Sequence, residues 1–268
     1  MSEGRFPSEA NGTLSHSQMG GLGGERLSPT MTITQHLTEL RKRLIYASAS
    51  LLTGMLACLY FSKDIFRFLQ KPLLSVLPPG SAFIATSPLE ALVTYLQVAL
   101  LAGTFLSSPV VLYQFWSFVA PALYKKEKSL AVGFVTFATF FFVGGALFGY
   151  YGIFPVGFRF FVSALEGTGI QFLPQMKDYL SFISRMLLTF GFIFEMPLII
   201  VLLARVGIVR REMLSKARRY VLVAVFLVAG VLTPGPDVLS QVLLAVPLLV
   251  LYELSVLAVR LMEGGKTA

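Results

Sequence analysis

Three carboxylates stand where carboxylates are costly or outnumbered, and each has a definite chemistry open to it. Glu195 lies in Phe192-Ile193-Phe194-Glu195-Met196-Pro197, inside a run that is otherwise uncharged from Met186 to Ala204. An ionisable group in such a run marks a functional site by default. It can be kept protonated by desolvation, serve a proton path or receive a polar ligand. Pro197 frees a backbone carbonyl nearby, which invites a kink. The competing reading is a neutral glutamic acid in an interhelical hydrogen bond, worth about 0.6 kcal/mol. Glu39 lies in Gln35-His36-Leu37-Thr38-Glu39-Leu40-Arg41-Lys42-Arg43, where Leu37, Leu40 and Leu44 recur at helical spacing and predict an amphipathic approach helix. Alone, Glu39 is an i,i+4 partner for Arg43 worth roughly 0.3 kcal/mol. Glu127, in Tyr124-Lys125-Lys126-Glu127-Lys128, reads alone as part of a solvated charge run. Together, Glu39 and Glu127 are two acids on an otherwise basic face, which suits a cationic ligand.

The other polar residues suggest structure. Asp237 follows Thr233-Pro234-Gly235-Pro236 and reads as the N-cap of the last apolar segment, with Pro234 and Pro236 shaping the turn. His16 and His36 have no second ligand nearby, so neither a metal nor a cofactor is expected. No Ser–His pairing, HExxH or paired membrane Asp motif occurs, so catalytic residues are not assigned and the chain does not read as an enzyme. There is no nucleotide-binding loop, so any energy must come from outside the chain. Trp116 reads first as an interfacial anchor.

The elements that carry these residues must cross a membrane. Of 268 residues, 55% are hydrophobic and 13% charged, with 24 Phe and a mean hydropathy of +0.74. A soluble domain carries about 25% charged residues, so a water-soluble enzyme is excluded. Disorder and a disulfide scaffold are excluded as well, the one cysteine being Cys58. The net charge of +8 comes without the aromatic–basic interleaving of a nucleic-acid platform. At roughly 20 apolar residues per span, the chain reads as an all-α polytopic membrane protein with six transmembrane helices. The spans fall near 44–61, 90–115, 129–151, 182–204, 218–232 and 238–255. They form one domain over 31–262, with a flexible tail at 1–30 and a short tail at 263–268. Pro109 and Pro121 suggest a second span that ends in a broken turn. Gly144, Gly145, Gly149 and Gly152 suggest close helix contact in the third.

The uncharged parts of the last two spans are short, at 13 and 15 residues. Either they thin the bilayer, admit water or shelter against longer neighbours, or polar flanks extend the helices. Of the 22 Lys and Arg, 16 fall on one side, including two in the tail, and six on the other. Both termini are therefore expected to be cytoplasmic. The connections 62–88 and 151–177 are long and suggest short amphipathic pieces at the outer interface.

The combination resembles the TatC family of the twin-arginine protein translocase. The resemblance rests on His36 to Leu44, Ile84-Ala85-Thr86-Ser87-Pro88-Leu89-Glu90, Ser108 to Trp116, and Phe118-Val119-Ala120-Pro121-Ala122-Leu123-Tyr124-Lys125-Lys126-Glu127. Phe190 to Pro197 and Leu232-Thr233-Pro234 with Pro236-Asp237 complete it. It implies an inner-membrane receptor that binds Arg-Arg signal peptides of folded precursors at its cytoplasmic face. It also implies assembly, as a homo-oligomer within a larger complex, with single-span subunits of the TatA and TatB type. Carried over by motif, Glu39 and Glu127 accept the arginine pair, Arg41 and Phe118 shape the same patch, and Glu195 is the buried polar residue facing a concave cavity. The sequence departs from the family pattern at Gly235, which lengthens the last turn, and at Gln97, where many relatives carry lysine. The alternative function is a proton-coupled small-solute transporter using Glu195.

Overall fold

A computed structural model describes residues 33–119, 128–165, 167, 172–232 and 238–264. Glu127, Pro234, Pro236, Asp237 and the tail at 1–30 lie outside the described residues. Helices account for almost everything described. They are α1 (Ile33–Leu59), α2 (Ser62–Leu69), α3 (Lys71–Leu74), α4 (Pro88–Val119) and α5 (Lys128–Phe148). A π-helical turn (Gly149–Ile153) joins α5 to α6 (Phe154–Ser163), and α7 (Met176–Phe194), α8 (Met196–Arg205), α9 (Arg211–Leu232) and α10 (Val238–Gly264) follow. The chain is an all-α polytopic membrane protein.

Four helical stretches are long and apolar enough to cross a membrane: Pro88–Val119, Val132–Ser163, Met176–Arg205 and Gln241–Glu263. A bent pair, Leu37–Leu59 with Ser62–Leu74, meets at 87° and passes the same test jointly. The fifth apolar segment lies on α9, whose first nine residues carry Arg211, Glu212, Lys216, Arg218 and Arg219. Those charges keep its mean hydropathy low although the helix has 22 residues. In both α9 and α10 the uncharged run is short and polar flanks continue the helix. α10 reaches 27 residues by running on through Glu253, whose carboxylate accepts from Arg218 Nη2 at 2.7 Å.

Instead of breaking early, α4 runs through Pro109 for 32 residues. Proline lacks the N–H that should bond the carbonyl four residues back. Here the Ser108 hydroxyl donates to that carbonyl, Phe105 O, at 2.7 Å. Substituting a side-chain donor for the lost amide is how membrane helices accommodate an internal proline.

The core sits where α5 packs on α7, α4 packs on both, and α10 packs on α8 and α9. Of the four glycines expected to allow this closeness, two do. A Cβ on Gly145 would lie 2.5 Å from Phe190 O, and one on Gly149 2.7 Å from the Phe190 ring. Gly144 has nothing within 4 Å, and Gly152 meets only Phe148 of its own chain segment. The partner glycine on α7 is Gly191, whose Cβ would meet the Phe142 ring at 2.8 Å.

The short amphipathic pieces α2 and α3 turn their apolar sides into this core. Phe66, Leu69 and Leu73 are buried, and Phe66 meets Phe83 and Tyr95 edge-on at 5.8 and 6.2 Å. Tyr150 and Tyr179 donate their hydroxyls to Phe68 O at 2.5 Å and Leu69 O at 2.7 Å, tying α2 to α5–α7. The end carrying α2 and α3 is the distal face; the opposite end, with most of the lysine and arginine, is the basic face.

Glu90 fastens the distal connections. Its Oε2 accepts from Thr86 N and Thr86 Oγ1, both at 2.6 Å, and its Oε1 accepts from Lys177 N at 3.2 Å. Beside it, Ile84 N donates to Pro174 O and Met176 N to Ile84 O, both at 3.0 Å, a single parallel bridge. Because three donors converge on one buried carboxylate, Glu90→Ala should lower the thermal unfolding midpoint in detergent measurably. Asp64→Ala, which breaks an exposed pair with Arg67 at 3.2 Å, should leave it unchanged. Equal midpoints for the two variants would mean the clamp contributes nothing.

Candidate functional site

Glu39 sits in the second turn of α1, four residues before Arg43, so the two side chains share a face. Arg43 Nε and Nη2 both donate to Glu39 Oε1, at 3.1 and 2.5 Å. The pair is partly covered, with side chains 22% and 30% exposed for Arg43 and Glu39. The carboxylate therefore already grips a guanidinium, one supplied by its own helix. Arg41 is exposed two residues along, and residues two apart on a helix do not face each other.

Phe118 is half-buried in the last turn of α4. Trp116 differs from the expected interfacial anchor. It is 1% exposed, with Phe134 edge-on at 4.9 Å and 86° and Phe115 at 5.3 Å. The helical stripe explains this: Leu112 and Trp116, four apart, share the α4 face that packs into a cluster with Ala138, Phe142 and Leu202. Trp116 thus sets how α4 meets α5 at the basic end.

How α1 is seated decides where Glu39 stands. Gly54 on α1 and Gly103 on α4 bring two backbones together. A Cβ on Gly54 would lie 2.8 Å from Gly103 O, and one on Gly103 would lie 2.4 Å from Met55 N. Elsewhere α1 faces outward: Leu44, Ile45, Tyr46, Leu52 and Leu56 are all more than half exposed. The sequence singled out neither glycine, because they fall in different apolar runs and no local spacing links them.

Glu195 occupies the joint between α7 and α8, with its N–H on Phe192 O at 3.1 Å and its carbonyl accepting from Ile199 N at 3.0 Å. Pro197 stands in the first turn of α8, so the expected kink coincides with the acid itself. The side chain is 4% exposed, and both carboxyl oxygens lack a hydrogen-bond partner among the described residues.

Phe142 and Phe192 meet at 5.3 Å. Since α5 and α7 run antiparallel, Thr139, three residues before Phe142, comes level with Glu195, three after Phe192. Thr139 Oγ1 is also buried and unbonded among the described residues. Further toward the distal face, Thr94 Oγ1, Gln97 Oε1 and Ser184 Oγ share that condition. Unsatisfied buried polar atoms require a physical account.

The family profile of the Sec-independent protein translocase protein (TatC) matches residues 35–247. A Sec-independent protein translocase protein TatC of Desulforapulum autotrophicum is 43% identical over 233 residues, 87% of this chain and 86% of its own. That of Escherichia coli strain K12 is 40% identical over 235 residues, covering 88% and 90%. The crystal structure of a twin arginine translocase receptor, TatC, superposes with a TM-score of 0.74 at 36% identity, covering 84% of this chain and 98% of that one.

Proposed function

The chain belongs to the TatC family of Sec-independent protein translocase proteins, and from that premise we propose that it is the receptor for Arg-Arg signal peptides of folded precursors. Its role is recognition and assembly, not catalysis. Reception takes place on the basic face, taken as cytoplasmic by the positive-inside rule, and the chain works in the inner membrane.

The observation that carries this reading is the Glu39 carboxylate clasping the Arg43 guanidinium. Arginine presents a planar fork that two-point carboxylate contacts can read, whereas lysine offers a compact point charge. An incoming arginine replaces Arg43 on Glu39, and Glu127 takes its neighbour. The exchange keeps the Glu39 carboxylate paired throughout, and the Arg43 guanidinium it releases is partly exposed to solvent. Lys42, Arg41 and the lysines beside Glu127 repel cationic segments that lack the matching geometry. The outward apolar side of α1 receives the hydrophobic part of the signal peptide.

Single-span subunits of the TatA and TatB type dock where Glu195 and Thr139 lack partners, each bringing a polar side chain to that level. The small-solute transporter alternative loses ground, because each relative named above is a protein translocase component.

The reading is tested by photo-crosslinking paired Arg-Arg and Lys-Lys signal peptides to the full chain in membranes. Glu39→Gln and Glu127→Gln should each lower Arg-Arg crosslinking about tenfold, as expected for one charge-assisted contact. The weak Lys-Lys signal should stay where it is. Undiminished Arg-Arg crosslinking in both variants, with normal insertion, removes the receptor site.

A further inference from the structure

On the basic face, α9 and α10 enclose an open groove of about 670 Å³. From α9 it is lined by Arg211, Ser215 and Arg218, spaced i, i+4 and i+7 along one stripe. From α10 come Arg260 and Glu253, then an apolar wall that includes Val250, Leu254 and Leu257. These three apolar residues are 52%, 52% and 49% exposed, so the described residues leave about half of each uncovered.

Two contacts fix the level of each charge. Arg218 Nη2 meets Glu253 Oε2 at 2.7 Å, and Arg211 N donates to Glu263 Oε1 at 3.3 Å. Arg260 therefore falls between them in height, and the three arginines span about 10 Å along the helices. Three guanidinium groups face one lining carboxylate. The Arg211 and Arg260 side chains have no ion-pair partner among the described residues.

We propose that this groove binds an anionic glycerophospholipid from the leaflet that meets the basic face. Its phosphate lies among Arg211, Arg218 and Arg260, and an acyl chain follows Val250, Leu254 and Leu257 toward the midplane. The charge complementarity selects the ligand: guanidinium forks take phosphate oxygens two at a time, and basic grooves between membrane helices favour anionic headgroups. A zwitterionic lipid brings its own cation against the arginines. A free phosphate leaves the apolar wall uncovered. The site is separate from Glu39 and Glu195 and does not depend on the signal-peptide reading.

The experiment reconstitutes the full chain in phosphatidylcholine bilayers containing a minority of phosphatidylglycerol, and native mass spectrometry counts the lipids retained after gentle extraction. Phosphatidylglycerol should be enriched about fivefold or more over its bilayer share, the effect of one well-placed basic residue. Arg218→Gln with Arg260→Gln should bring retention down to the bilayer ratio. Leu254→Trp, which fills the groove and leaves every arginine in place, should lower it too. Lys216→Gln with Arg219→Gln removes equal charge from α9 outside the groove and should change nothing.

Four outcomes would overturn the site. One is retention at the bilayer ratio in the unmodified chain. A second is equal loss in the Lys216/Arg219 variant, which would indicate diffuse attraction. A third is displacement by free glycerol phosphate, which would indicate a soluble-anion site. The last is unchanged retention in both the arginine pair and Leu254→Trp, which would leave the groove to another occupant, such as an acidic helix.

Discussion

Gly103→Leu should abolish Arg-Arg signal-peptide crosslinking at Glu39 while leaving the chain inserted and helical. The Cβ alone would lie 2.4 Å from Met55 N, 2.7 Å from Met55 Cα and 2.8 Å from Gly54 C. All three atoms belong to helix backbone, so no rotamer change relieves the clash and α1 must tilt or lift away from α4. Glu39 lies 15 residues from Gly54, about 22 Å along the helix. A tilt of roughly 10° then moves the carboxylate by about 4 Å, more than the tolerance of a hydrogen bond. Loss should exceed that of Glu39→Gln, because the apolar side of α1 moves with the acid. Gly144→Leu is the control, since nothing lies within 4 Å of that Cβ position. Crosslinking at the unmodified level in Gly103→Leu would show that the seating of α1 has no bearing on the receptor patch.

Glu195→Leu should stabilise the isolated chain and at the same time cost it its single-span partners. A buried polar group without a hydrogen bond destabilises by about 1–3 kcal/mol, and leucine fills a similar volume without that penalty. The thermal midpoint in detergent should therefore rise. Co-purification of a coexpressed single-span subunit should fall about tenfold, with Glu195→Gln, which keeps a polar group at that depth, falling less. Opposite signs in the two measurements are the signature of a group retained for association. A lower midpoint would mean the carboxyl is satisfied within the chain, and undiminished co-purification would place partner docking elsewhere.

Much of this was legible in the amino-acid pattern, for identifiable reasons. Uncharged runs mark the membrane-crossing helices because the hydrocarbon excludes charge, and Glu195 stands out against such a run for the same reason. Helix ends were less legible. Beyond the hydrocarbon, polar residues are as good at continuing a helix as at ending it, and α10 continues through Glu253, where Arg218 meets that acid from α9. Pro109 looked like a boundary; only the Ser108 hydroxyl on Phe105 O shows how the helix passes it.

Pairings between distant segments were not legible at all. Glu90 resembles an ordinary first-turn acid until Lys177 N is found on it, 87 residues away. Gly54 and Gly103 are two isolated glycines until their backbones meet. Trp116 has the composition of an interfacial residue, but its place on the Leu112 stripe turns it inward. Glu39 could be paired with Arg43 from spacing alone. That the pair uses two guanidinium nitrogens on one oxygen is a matter of rotamers.

The clasp around Glu90 has a mechanical corollary. Strand-like bonds at Ile84 and Met176, the carboxylate bridging Thr86 and Lys177, and two tyrosine hydroxyls on the α2 carbonyls all lie at one end of the polypeptide. Helices pinned together at one extremity behave as levers with a common fulcrum there. Displacement grows with distance from the pins, except where contacts such as Arg218 with Glu253 tie helices together at the opposite extremity.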